Sequence, residues 1–119
     1  MQHDGRTRRA WWVTLTLAAL IAVAALVPSP GTQGAMPSDK VGHVLAFFVL
    51  ALPLARVRAA MFWPVILIVV AYGGMIEAVQ PLVGRNAEWA DLGADALGAL
   101  GGACLGRWMA LRRVATTPN

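Results

Sequence analysis

The chain has 119 residues, 58% of them hydrophobic and only 13% charged, with a formal net charge of +4. Soluble domains carry roughly 45–50% apolar residues, so this chain has too little charge to cover a soluble surface, and its length fits about one domain. Its ten basic residues stand in small clusters at segment ends, a pattern of membrane topology rather than of nucleic-acid binding. The expectation is an all-α, polytopic membrane protein.

The first apolar run covers residues 11–27, preceded by Arg6, Arg8 and Arg9 and followed by Pro28, Ser29 and Pro30. It is longer than the core of a signal peptide and lacks a small-residue cleavage site after it, so we expect an uncleaved span. The second run, 41–55, is short for a bilayer core of ~30 Å. Starting its helix at Ser38, a good N-cap, and ending it near Arg58 supplies the missing length. Asp39 then falls in the first turn, where the helix dipole favours an acid. The third run, 60–80, holds Pro64 in its first turn and is ended by Pro81. The fourth, 92–111, is rich in glycine and closes at Arg107, Arg112 and Arg113. The reading is four transmembrane helices, at about 11–27, 38–58, 60–80 and 91–111, arranged as two hairpins in one domain spanning 1–119. The single cysteine, Cys104, lies in the fourth run, which excludes an internal disulfide and a cysteine-rich metal site.

Orientation follows from the basic residues. Four crossings put Arg6, Arg8, Arg9, Arg56, Arg58, Arg107, Arg112 and Arg113 on one side, with only Lys40 and Arg85 on the other. By the positive-inside rule both termini are cytoplasmic.

Most remaining ionisable groups, and Gln80 with them, then collect on the outer side: Asp39, Lys40 and His43 opening the second helix, Glu77 and Gln80 closing the third, and Arg85, Glu88, Asp91 and Asp95 leading into the fourth. Asp39 and His43 are four apart, as are Asp91 and Asp95, so each pair lies along one helix face. Gly98, Gly102 and Gly106 continue the stripe of Asp91 and Asp95 as a row that lets a helix approach closely. The partner of that row is a neighbouring helix or, as a homo-oligomer, a second copy. Glu88 reads as a solvated cap. Glu77 and Asp95 lie a turn inside apolar segments, where an ionisable residue is a functional-site candidate by default. His43 with Glu77, Asp91 and Asp95 has the donor types for a divalent cation. The same groups equally suit an acid/base pair, with Arg85 and Lys40 neutralising a phosphate or carboxylate. No established catalytic motif accompanies them, and the sequence requires no cofactor.

The segments "SDKVGHVLAFFVLAL" and "IEAVQPLVGRNAEWADLGADALGALGGACLG" resemble the VanZ-like family of small bacterial membrane proteins, over residues 38 to 106. The resemblance implies that the polar residues of the family fall on Asp39, Lys40, His43, Glu77, Gln80, Arg85 and Asp91. Asp95 departs from it, since Asn is expected there. The family takes its name from a protein linked to resistance to the glycopeptide antibiotic teicoplanin, whose targets are cell-wall precursors outside the membrane. The expected function is therefore an envelope protein of the bacterial cytoplasmic membrane, with an outward polar cluster that binds lipid-linked or cell-wall precursor groups and influences glycopeptide sensitivity. Two alternatives stand beside it: an intramembrane, metal-assisted hydrolase or transferase acting on a lipid-linked substrate, and a purely structural cluster whose groups pair internally.

Overall fold

A computed structural model describes residues 2–27, 37–116 and 118, with backbone alone at positions 2–3 and 37–39. Among these residues the only regular secondary structure is helix, and no strand occurs. The helices are α1 (Gln2–Leu26), α2 (Pro37–Val57), α3 (Phe62–Val79) and α4 (Trp89–Thr116), with 3-10 turns at Ala59–Met61 and Gln80–Val83. Ser38, the expected cap, has its side chain outside the described residues.

Local chemistry sets most of the boundaries. Helix α1 begins well before the apolar run at residue 11, because Gln and Arg are good helix formers and the stretch before it holds no proline. Helix α2 has Pro37 at its first position, where a missing N–H is harmless, and continues through Pro53. Arg58 breaks it with an extended backbone, and α3 follows directly with Pro64 in its first turn. Pro81 lies in the 3-10 turn after α3, and Gly84 stops that turn in the left-handed region at φ 77°, open to glycine at no steric cost.

The four helices run alternately up and down. Side-chain bonds from Gln80 and Arg85 to the end of α1, and from Lys40 to the start of α4, bring the end of α1, start of α2, end of α3 and start of α4 together. Helices α2 and α4 therefore lie parallel, and they form the most extensive helix contact in the molecule, with α1 packed on α2 and α3 on α4. A Cβ added at Gly98 would lie 2.2 Å from the Val44 carbonyl oxygen, and one at Gly102 would lie 2.2 Å from that of Phe48. At Gly106 it would lie 2.7 Å from Ala55 Cβ. The two backbones thus touch along the glycine row. This corrects the expectation of a homo-oligomer through Gly98, Gly102 and Gly106: α2 of the same chain fills the row and leaves no face there for a second copy.

The apolar centre is built from Phe47, Leu50, Ala51, Leu54, Val65 and Ala103. The outside is as greasy as the inside. Leu20 is 62% exposed, Leu67 69% and Leu97 62%, whereas Asp95 is 1% exposed. Acids inside and leucines outside invert the arrangement of a soluble protein and suit a lipid surround. Three stretches, Asp4–Leu26, Lys40–Val57 and Ala59–Val83, are long and apolar enough to cross a membrane. The expected fourth span is not among them. Helix α4 is long enough at 28 residues, but its glycine row, Asp91, Asp95 and Arg107 dilute its hydropathy.

Candidate functional site

The end of the bundle where α2 and α4 begin holds the polar residues. Because the two helices are parallel, the residues that open each one face each other. Lys40 donates to Glu88 Oε2 and to Asp91 Oδ1, each at 2.5 Å. One turn deeper, His43 Nδ1 lies 2.7 Å from Asp95 Oδ1 and its Nε2 lies 3.7 Å from Asp91 Oδ2. The gradient of burial is steep. The Lys40 and Glu88 side chains are about one-third exposed, while those of Asp91 and Asp95 are 8% and 1% exposed. Space for the Asp95 carboxylate comes from Gly73 on α3, where an added Cβ would lie 2.8 Å from Asp95 Oδ2.

Glu77 enters from α3. Its Oε2 accepts the backbone N–H of Glu88 at 3.0 Å, and its Oε1 is buried with no hydrogen-bond partner. Ligand atoms of His43, Glu77 and Asp95 all lie within 4.8 Å of one another. Four carboxylates (Glu77, Glu88, Asp91 and Asp95) thus gather around one lysine and one histidine. A buried acid excess of this kind is costly without a compensating cation.

Gln80 and Arg85 belong to the same end but face a different partner. Gln80 Nε2 donates to the Ala25 carbonyl at 3.3 Å and Arg85 to the Val27 carbonyl at 2.9 Å. Those carbonyls lie at the C-terminus of α1, where the helix leaves acceptors unpaired and its dipole favours a cation. Both side chains hold α1 onto the bundle. Of the cations Arg85, Lys40 and His43 that the sequence offers to the acids, Lys40 and His43 meet them, whereas among the described contacts Arg85 caps α1. Gln80 Oε1, like Glu77 Oε1, is buried and unpartnered.

A cavity of about 190 Å³ opens beside this cluster. His43, Asp95, Gln80 and Arg85 line it together with apolar residues that include Ile21, Ala46 and Phe47. The structure therefore brings together Lys40, His43, Glu77, Gln80, Arg85, Asp91 and Asp95. The Asp39 side chain lies outside the described residues.

The family model described as VanZ/LLP1 matches residues 4–110, which takes in all four helices. The chain belongs to the VanZ/LLP1 family. No curated protein and no solved structure matches it. In this VanZ/LLP1 protein two residues of the cluster escaped the sequence reading. Glu88 reads from the sequence as a solvated cap, whereas the structure pairs it with Lys40. Gly73 has no chemistry of its own; only the space it leaves for Asp95 marks it.

Proposed function

We propose that this VanZ/LLP1 protein spans the bacterial cytoplasmic membrane four times with both termini inside. Its outer-end cavity then binds the polar headgroup of a lipid-linked or cell-wall precursor molecule. The fourth crossing is supported by the exterior of α4, where Leu97, Leu100, Leu105, Trp108 and Leu111 are exposed. Asp91, Asp95, Gly98, Gly102 and Gly106 are turned inward, so the helix offers lipid an apolar face despite its composition. The observation that carries the headgroup reading is the mixed lining of the cavity. His43, Asp95, Gln80 and Arg85 suit a phosphate or sugar group, and Ile21, Ala46 and Phe47 suit the start of a hydrocarbon chain. An influence on glycopeptide sensitivity follows if the bound group is a wall precursor.

The test is a deletion strain profiled against wall-active antibiotics, teicoplanin included, then complemented with His43→Ala, Glu77→Ala, Arg85→Ala, Asp91→Ala and Asp39→Ala. The variants are expected to reach the membrane, at normal levels for all but the destabilised His43→Ala, yet fail to restore the profile. Full restoration by all five, where deletion itself has a phenotype, removes the headgroup reading.

A second reading is favoured by the convergence of His43, Glu77 and Asp95, together with the buried, unpartnered oxygen of Glu77. One nitrogen and several carboxylate oxygens form a plausible donor set for a divalent cation, and a cation would offset the acid excess. Metal bound there would polarise a phosphoryl oxygen of the lipid-linked substrate, which makes hydrolysis or transfer the reaction class. Purified protein should then hold metal in a one-to-one ratio and lose it on His43→Ala. Metal-free protein that still complements the deletion eliminates this reading and leaves the first intact.

A further inference from the structure

The opposite end of the bundle contains a second cavity, of about 480 Å³, whose polar lining comes largely from arginines. Arg6 and Arg9 reach it from the first turns of α1, Arg56 from the last turn of α2, and Arg113 from the last turn of α4. Arg6 and Arg9 are three apart and share a helix face. Among the described residues no acid lines this cavity, and Val13 and Pro53 are among its apolar walls.

Membrane orientation alone does not call for this arrangement. The positive-inside rule needs basic residues near the membrane on one side, with no requirement that they converge. Other arginines at this end satisfy it apart from the cavity: Arg107 lies over the Phe62 ring at 5.3 Å and Arg112 over Trp108 at 4.9 Å. Arg6, Arg9 and Arg56 instead direct like charges from two helices toward one space, where they repel unless an anion sits among them. Guanidinium forks match the oxygens of phosphate with paired hydrogen bonds. The apolar walls continue that space toward the hydrocarbon, which suits a phosphate carrying acyl chains better than a free one.

We infer that this cavity binds the phosphate group of an anionic membrane phospholipid, seated between α1, α2 and α4 at the arginine-rich end. Basic pockets between transmembrane helices are suited to this task, and each arginine near the surface contributes about 1 kcal/mol toward an anionic lipid. The bound lipid links the start of α1 to the ends of the central helix pair, separately from the polar cluster at the other end.

The test uses the full chain in neutral detergent, with native mass spectrometry after addition of phosphatidylglycerol, phosphatidylcholine or inorganic phosphate. Wild type is expected to retain one phosphatidylglycerol and to release phosphatidylcholine. Arg9→Gln with Arg56→Gln should weaken the adduct by about fivefold per arginine removed. Arg58→Gln with Arg112→Gln removes the same charge from the same end outside the cavity and should leave it unchanged. Single Arg6→Gln and Arg56→Gln variants, at exposed side chains, give the same reading if the double variant unfolds. Equal losses in the two double variants overturn the site, because bulk charge would then explain the binding. Equal retention of phosphatidylcholine also overturns it. Binding of inorganic phosphate with the same arginine dependence, but no lipid adduct, overturns the lipid assignment.

Discussion

His43 meets a carboxylate with each ring nitrogen, Asp95 at 2.7 Å and Asp91 at the longer 3.7 Å. Its loss and the loss of the Lys40–Glu88 pair should therefore differ sharply. Lys40 sits in a pair about one-third exposed on both partners, so Glu88→Gln is expected to cost at most about 1 kcal/mol of stability. His43→Ala leaves Asp95 in a site with 1% exposure and no described cation beside it, and should cost about 3 kcal/mol or more. Asp95→Asn keeps a hydrogen-bonding group against His43 and should cost about 1 kcal/mol. Thermal unfolding in detergent measures all three. If Asp95→Asn unfolds the protein outright while Glu77→Gln does the same, the cluster is structural and the headgroup reading loses its support. Near-normal stability with failed complementation is the outcome that reading expects.

At the scale of the helix pair, the α2–α4 seam rests on the absence of side chains. Gly98→Ala puts a methyl group 2.2 Å from the Val44 carbonyl oxygen, a backbone atom that cannot swing aside. We expect a loss of about 1–3 kcal/mol and a displaced Asp95, since the same seam sets the depth of both. Gly74→Ala is the control, because an added Cβ meets nothing within 4 Å. It should be neutral or stabilising by up to about 1 kcal/mol, as expected for glycine replaced in an open helix position. The sequence made the glycine row legible as a close-contact surface, since small residues every four positions signal little else. It did not say which helix would fill the row. Spacing within one helix is local information, whereas the choice between α2 and a second copy depends on how the hairpins dock.

For the whole molecule, the positions of the apolar runs were readable because crossing a bilayer demands long uninterrupted hydropathy. The start of α1 at Gln2 was not, since its polar first turns lie outside any hydropathy signal. Helix α4 was misjudged in the other direction: its length and closing arginines suggest a span as clear as the rest, but its inward glycines and acids lower its hydropathy. The clustering of acids at one end was legible from spacing and orientation together, whereas the diversion of Gln80 and Arg85 to the end of α1 was not, because helix-end carbonyls leave no trace in a sequence. The proposed topology has a direct test. With Cys104 replaced by Ala, a membrane-impermeant maleimide added to intact cells should label a cysteine placed at Ala87 and spare one at Ala115. The reverse pattern would turn the polar cluster toward the cytoplasm and separate it from wall precursors.

Helix α4 also carries a consequence for how the protein is made. Its buried face of Asp91, Asp95, Gly98 and Gly102 is acceptable in lipid only when α2 covers it. A translocon presented with α4 alone would meet a segment too weakly apolar to release sideways on its own merits. Helix α2 leaves the ribosome earlier and is apolar enough to insert first. On the proposed four-span topology, the parallel seam would make α2 the insertion template for α4, and damage to the glycine row would be read during synthesis as a last helix that fails to enter the membrane.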